Sequence, residues 1–209
     1  MNKTKKRGIA ALVVLVIAAA WAGISYATNT PPFKKPKGTI AAADLCPSFG
    51  DSQEAADILN RLLPYATSYR IPWEDHRYRG SGETDVDHRS SCSVSGDGTR
   101  LLLVRTELAG WGDEEAWRKE VLDSTNGRKP QPFEAGRWAF TTTPDILRVA
   151  AVNSACVPYR DAALSTSVEL GSPAPADRLD DLRRLAEIAA EQAHEDARCT
   201  IPADTPARG

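Results

Sequence analysis

The sequence predicts an α+β domain carried behind a single transmembrane helix. Three observations support this: an uncharged apolar run near the N-terminus, segments with apolar residues at helical spacing, and segments in which apolar and polar residues alternate. Because short turns connect the alternating segments, we expect a mainly antiparallel, twisted sheet. The pattern predicts about five or six strands covered by about three helices.

The apolar run covers residues 8–26, nineteen residues without a charge. A helix of that length is about 28 Å long, close to the bilayer core thickness of about 30 Å. Residues 1–7 are basic, so the positive-inside rule predicts a cytoplasmic N-terminus and an outer location for the rest of the chain. We therefore expect a single-pass signal-anchor in the cell membrane, with the lipid bilayer as its partner.

A cleaved signal peptide is the alternative for the same segment. Small residues flank potential cleavage sites at residues 20–22 and 25–27. The apolar run is, however, longer than the usual signal-peptide core of about 7–15 residues. Cleavage would give a secreted domain instead of an anchored one, and both alternatives place the domain outside the cytoplasm.

Residues 27–43 are a predicted spacer that is rich in proline and lysine. Its prolines favour an extended backbone, and its lysines keep the segment solvated. Beyond residue 7 the chain carries 22 basic and 28 acidic residues, a net charge of −6. This acidic balance argues against nucleic acid as a partner, and an envelope protein is the macromolecular partner that remains open.

The globular domain is expected over residues 44–199, which is long enough to enclose one hydrophobic core. Residues 200–209 contain two prolines, and we expect them to form a disordered tail. The domain is therefore predicted to be closed by its last helix, with no ordered segment after it.

Helices are predicted at about residues 52–63, 113–125 and 176–198. The first has the spacing of a capping box between Asp51 and Glu54. An apolar stripe marks the buried side of the last helix: Leu182, Leu185, Ala186, Ala189 and Ala193.

Strands are predicted on both sides of a turn at residues 96–98, over residues 89–95 and 99–108. The run at 101–104 is apolar without alternation, which predicts a central strand buried on both faces. Other predicted strands are residues 67–71, 137–142, 146–157 and 163–170. The last of these alternates, so we expect one face on the core and one in water. The segments after residue 71 and around residues 130–132 are predicted to be loops.

Four cysteines are the strongest local signal: Cys46, Cys92, Cys156 and Cys199. In an oxidising compartment four cysteines predict two disulfides. Zinc is the alternative, but the close CxxC pair that is typical of zinc sites does not occur. Of the three connectivities we expect Cys46–Cys199 and Cys92–Cys156, because the second pair lies in predicted strands and the first flanks the outer helices.

A polar cluster at Glu83, Asp85, Asp87 and His88 is the best candidate for chemistry. In an extended segment the three acids lie on one face, because side chains alternate along a strand. Such a face is suited to calcium, or to acid–base chemistry with the histidine. A solvated polar loop is the simpler interpretation, and we expect neither a metal nor a catalytic residue here. His194, in the last helix, is expected at the surface.

Tyr69, Trp73 and Tyr78 are candidates for a recognition surface. Partly buried packing is the more common role of such residues. The sequence has no nucleophile elbow, P-loop, dinucleotide fingerprint or zincin motif, so we expect no cofactor.

The layout of the chain resembles uncharacterised membrane-anchored extracytoplasmic four-cysteine proteins of actinomycetes. The resemblance rests on the basic N-terminus, the single span, the proline spacer and the cysteine contexts LCPSF, RSSCSV, SACVPY and ARCT. It covers most of the chain and implies the same outer location. It brings no activity and no site residue.

The expected function is a membrane-anchored extracytoplasmic binding or interaction module of the cell envelope, and not an enzyme. The alternative is an anchored hydrolase or metal-dependent enzyme that uses Glu83, Asp85, Asp87 and His88. A sensor or regulatory subunit of a neighbouring membrane machine is a third hypothesis, which only a partner would separate from the first. The ligand is not specified by the sequence.

Overall fold

The computed structural model describes residues 3–28, 35–50, 52–79, 86–110, 113–123, 129–142, 148–157, 162–171 and 178–206, of which 3–14, 76–79 and 86–87 are described for the backbone alone. The chain divides into two compact units, Met1–Lys37 and Gly38–Gly209. The second unit contains the sheet and three of the four helices.

The N-terminal unit contains helix α1 (Lys3–Ala27), which has 25 residues. Its described large apolar side chains are exposed, from 58% of the surface of Trp21 to 75% of that of Tyr26. In the part of the chain that the structure describes, no helix combines the length and the hydropathy that a membrane crossing requires.

The second unit is an α+β domain, as predicted. Its helices are α2 (Gln53–Leu62), α3 (Glu114–Asp123) and α4 (Leu179–Asp196). Its described strands are β1 (Tyr69–Arg70), β2 (Trp73–Arg79), β3 (Val86–Gly96), β4 (Thr99–Gly110), β5 (Pro130–Pro132), β6 (Trp138–Thr142), β7 (Arg148–Val157) and β8 (Ala162–Leu170).

The strands form one open antiparallel sheet in the order β1-β3-β4-β8-β7-β6-β5, and β2 also pairs with β3. Asp97 and Gly98 connect β3 to β4 with φ angles of 47° and 86°. Positive φ at both central residues is what a two-residue type I′ turn requires. The predicted hairpin is confirmed, and β4 lies in the interior of the sheet with residues 101–104 buried.

Helices cover both faces of the sheet. Alternate residues of β7 enter different clusters: Ala150 and Val152 belong to the main core with α2 and α4, while Val149 and Ala151 belong to a smaller core with Trp117 of α3. A strand whose two faces are both covered needs apolar or small residues throughout, and every residue of β7 is buried. The predicted stripe of α4 is buried in the main core, apart from Ala193, which is buried in a third cluster near Cys156.

The second face of β8 departs from the prediction of a face in water. Trp117 is fully buried over this face, and its Nε1 donates a hydrogen bond of 2.9 Å to Ser165 Oγ. Ser165 is one of the polar residues of the alternating pattern. It supplies the hydrogen-bond acceptor that the indole N–H of a buried tryptophan needs. Asp113 directly precedes α3, and its Oδ1 accepts a hydrogen bond from Ala116 N.

The start of α2 also differs from the prediction. The N-cap is Ser52, whose Oγ accepts a hydrogen bond from the backbone N–H of Ala55 at 3.0 Å. Asp51 lies outside the described residues. Serine and aspartate are nearly equivalent N-caps, so sequence spacing alone does not distinguish two adjacent candidates.

The described sheet has eight strands, not five or six, because two predicted loops are strands. β2 is polar and charged, and it pairs with β3 from Trp73 opposite Cys92 to Arg79 opposite Val86. β5 contains two prolines and lies at the opposite edge of the sheet. Edge strands need no apolar alternation and tolerate proline, so the rules that detect interior strands miss them.

Two disulfides are present, as expected, but the predicted pairing is wrong. The bonds are Cys46–Cys92 and Cys156–Cys199, with Cα–Cα distances of 6.2 and 4.4 Å. β4 and β8 lie between the strands of Cys92 and Cys156, so these two residues are separated by three strand spacings, about 14 Å. A disulfide requires Cα atoms within about 7 Å, which excludes that pair.

Candidate functional site

An open cleft of about 430 Å³ lies between α4, β7 and the connection from β5 to β6. Ligand pockets of proteins typically range from about 300 to 1,000 Å³. Four segments of the chain line it: the β5–β6 connection, β7, the outer flank of α4 and the C-terminal segment. Its acidic residues are Glu134, Glu187, Glu191 and Glu195.

Three of these acids form a row on α4. Glu187, Glu191 and Glu195 are spaced by four residues, which places them along one flank of the helix. Each like-charge pair at this spacing costs about 0.2–0.5 kcal/mol. Glu195 also lies in the last turn, where the helix dipole disfavours a negative charge. Without a counter-charge the row would therefore be unfavourable for α4.

Arg184 partly neutralises one end of the row. Its Nη1 lies 3.0 Å from Glu187 Oε2 and 3.5 Å from Glu191 Oε1. Its Nε and Nη2 donate hydrogen bonds of 2.9 and 3.0 Å to the two carboxylate oxygens of Glu54 on α2. The hydrogen bonds to Glu54 and then Glu187 raise the pKa of Arg184 above its ordinary value. The positive charge of Arg184 is thus divided among three carboxylates.

Two other acids of the cleft keep their negative charge. Neither Glu134 nor Glu195 forms an ion pair with any residue that the structure describes. Both side chains are exposed, so water solvates them when the cleft is empty. The cleft therefore carries two carboxylates that no described cation neutralises.

Gly136 brings the β5–β6 connection against β7. Its φ is +51°, and a Cβ atom at this position would lie 2.5 Å from the backbone oxygen of Asn153. The same oxygen accepts a hydrogen bond of 2.7 Å from Arg137 N. Only glycine permits both the positive φ and this close approach. The turn therefore places Glu134 and Ala135 on the wall of the cleft.

The C-terminal segment forms another wall, so the prediction of a disordered tail is wrong for residues 200–206. Thr200 N donates to Cys156 O at 2.8 Å, and Ala155 N donates to Ala203 O at 2.9 Å. The disulfide Cys156–Cys199 joins the start of this segment to β7. As a result, Ala203 lines the cleft.

His194 holds the same segment and is half-buried, not a surface residue as predicted. Its Nε2 lies 3.1 Å from Ala155 O and 3.0 Å from Ile201 O. Both partners are carbonyl oxygens and only accept, so Nε2 carries the hydrogen and donates to both. His194 is therefore a structural residue at the base of the cleft.

Of the predicted polar cluster, the structure describes the side chain of His88 alone. Glu83 and Asp85 lie outside the described residues, and the side chain of Asp87 is also outside them. His88 is described, and only 2% of its surface is exposed. Across the described part of the chain, no three His, Cys, Asp or Glu side chains form a group suited to a metal ion.

The predicted aromatic candidates have different environments. Tyr69 packs against the main core and donates a hydrogen bond of 2.7 Å to Pro64 O; its burial raises the pKa of the phenol. Trp73 is 52% exposed at the edge of the sheet. Tyr78 pairs with Asp87 in the register of β2 and β3, and its side chain lies outside the described residues. Tyr69 is thus a packing residue. Of the three aromatic residues, Trp73 is the one for which the structure describes an exposed ring.

The cleft itself was not predicted from the sequence. One signal was available: three glutamates at intervals of four residues near the end of a predicted helix. Such a row is unfavourable for an isolated helix. Glu134 and Ala203 carry no comparable signal, because they reach the cleft through the Gly136 turn and the Cys156–Cys199 disulfide.

Comparison of the chain with family models, with curated proteins and with solved structures gives no match.

Proposed function

We propose that this chain is a membrane-anchored binding module of the cell envelope, and that the cleft beside α4 is its ligand-binding site. The single observation that carries the binding role is the cleft, which combines a ligand-sized volume with four acidic side chains on its wall.

The disulfides support an outer location for the domain. All four cysteines are paired, and disulfides persist in oxidising compartments. An oxidising compartment also matters for the cleft, because the disulfide Cys156–Cys199 holds the segment that places Ala203 on its wall. Binding is therefore expected to require the oxidised protein.

The anchor part of the proposal comes from the sequence of residues 8–26 and from the basic residues before it. The alternative of a secreted domain differs only in cleavage of this segment. The enzyme alternative that uses Glu83, Asp85, Asp87 and His88 stays a prediction, and no described contact favours it.

Protease accessibility tests the proposal on the full chain. The protein, with a C-terminal tag, is expressed in bacteria, and intact spheroplasts are treated with proteinase K. We expect the tag to be digested without lysis and the undigested protein to resist carbonate extraction from membranes. A matched pair of variants tests the anchor: Val16→Arg is expected to weaken retention, whereas Val16→Leu retains it.

Three other outcomes are informative. A processed domain in the medium would show that the protein is secreted and not anchored. A protected tag together with four alkylatable thiols would place the domain in the cytoplasm and overturn the proposal. Equal retention of the two Val16 variants would show that residues 8–26 are not the anchor.

A further inference from the structure

We propose that the cleft binds a primary alkylammonium group, attracted by the two cleft carboxylates that have no described cationic partner, Glu134 and Glu195. This inference rests on the proposed function, since it names the ligand class of the same site. These two carboxylates have no cationic partner among the described residues, and Glu195 lies in the last turn of α4, where the dipole favours a cation. A ligand cation would neutralise the charge of these carboxylates and would interact favourably with the helix dipole at the end of α4.

Ser154 adds a hydroxyl group to the wall of the cleft. It lines the cleft from β7 and is only 2% exposed, yet its hydroxyl has no hydrogen-bond partner in the described structure. In the empty cleft, water solvates this hydroxyl, and a ligand can take the place of that water. Its Oγ faces the Gly136 turn, since a Cβ atom on Gly136 would lie 3.1 Å from it. The hydroxyl oxygen is therefore available to accept a hydrogen bond from a ligand N–H.

The rest of the cleft surface indicates the body of the ligand. Val152, Ala190 and Ala203 line it between the polar groups. An unbranched alkyl stem covers such small apolar side chains, while its ammonium head, with three donors, reaches the hydroxyl and carboxylate oxygens. A bare divalent cation would leave the apolar part of the cleft unfilled.

An alkylammonium group has two natural sources, a free diamine and a lysine side chain of a peptide. The probes distinguish them: 1,5-diaminopentane represents the first, and Nα-acetyl-lysine N-methylamide represents the second. Nα-acetyl-norleucine N-methylamide has the same backbone and a similar stem without the charge, and it serves as the neutral control.

The experiment measures affinity for the three probes by NMR titration or calorimetry. It uses the full-length oxidised protein in the non-ionic detergent dodecyl maltoside at pH 7, at two salt concentrations. We expect at least one ammonium probe to bind about tenfold or more tightly than the norleucine probe, since hydrogen bonds to a charged group are lost in the control. Binding of that probe should weaken as the salt concentration rises.

Variants localise the site. Ser154→Ala, Glu134→Gln and Glu195→Gln are each expected to weaken ammonium binding, the first by about tenfold. Ser167→Ala on the α3 side of β8 and Glu115→Gln on α3 make the same chemical changes away from the cleft and should leave the affinity unchanged. A thermal melt of each variant shows that it is folded.

Equal binding of the ammonium and norleucine probes would overturn the inference, as would affinities that the three cleft variants leave unchanged. Both results leave the anchored binding module standing with another ligand. Conversely, a protease result that places the domain in the cytoplasm overturns the proposed function and does not alter these affinities. The two proposals therefore fail separately.

Discussion

Trp117 joins α3 to the sheet. Its ring centroid lies 6.2 Å from that of Trp138 and 5.2 Å from that of Phe140, and none of its surface is exposed. Val121 and Leu122 of the same helix are only partly buried against this cluster. A single side chain therefore provides most of the buried apolar surface of α3.

The first prediction is that Trp117→Ala destabilises the domain by about 3–5 kcal/mol. A large buried aromatic is lost, a cavity remains, and Ser165 Oγ loses its donor. Denaturant unfolding of the oxidised protein measures the difference. Trp73→Ala is the matched control, because Trp73 is 52% exposed and its removal should cost less than about 1 kcal/mol. Equal effects of the two substitutions would contradict the role given to Trp117.

α4 combines two roles at the scale of the element. Its apolar stripe packs on the sheet, and its acidic flank forms the cleft. Two ion pairs also join it to α2: Arg184 with Glu54, and Arg61 Nη2 with Asp181 Oδ1 at 2.8 Å. Because both pairs are partly exposed, water and salt limit their contribution to stability.

A pH dependence follows from the Glu54–Arg184 pair. The hydrogen bonds from Arg184 lower the pKa of Glu54 below 4.5. A lowered pKa in the folded state means that the stabilisation is complete above the unfolded value and is lost as pH falls through the folded one. We expect Glu54→Gln to lower Tm slightly at pH 7, and the difference from the parent should vanish in acid, below the lowered folded-state pKa of Glu54.

Thermal melts at a series of pH values from pH 7 into the acid range measure this difference. Glu115→Gln, an exposed acid on α3, is the control and should follow the parent chain throughout. A gap between Glu54→Gln and the parent that grows towards acid pH would contradict the assigned sign.

At the scale of the whole molecule, each of the two disulfides joins a segment next to a helix to a strand of the sheet. Cys46–Cys92 links the segment before α2 to β3, and Cys156–Cys199 links the segment after α4 to β7. Their sequence separations, 46 and 43 residues, are similar. Chain entropy therefore assigns each bond about 4 kcal/mol, and measured values are typically about 2–4 kcal/mol.

Peptide mapping without reduction should recover Cys46–Cys92 and Cys156–Cys199. Serine replacement of either pair should lower the unfolding free energy by about 2–4 kcal/mol. Loss of Cys156 and Cys199 should in addition increase hydrogen exchange at Ala155, whose amide is bonded to Ala203. Loss of the other pair should leave that amide protected. Mapping that recovers Cys46–Cys199 would contradict the fold.

Several features of the fold were readable from the sequence because they depend on neighbouring residues. The turn at Asp97 and Gly98 requires positive φ, and the four-residue apolar run beside it requires cover on both faces. The buried stripe of α4 follows from its periodicity in the same way. The charged strand β2 was not predicted, because an edge strand needs no apolar pattern.

By itself, the sequence determined the α+β class, the central hairpin, the buried side of α4, and the presence of enough cysteines for two disulfides. Only the tertiary structure decided the pairing of Cys46 with Cys92 and of Cys156 with Cys199, because strand order sets which cysteines are within reach. It also decided the cleft, which joins residues as distant along the chain as Glu134 and Ala203. Local periodicity is read along the chain, whereas a site is defined by distances between segments that only the folded sheet fixes.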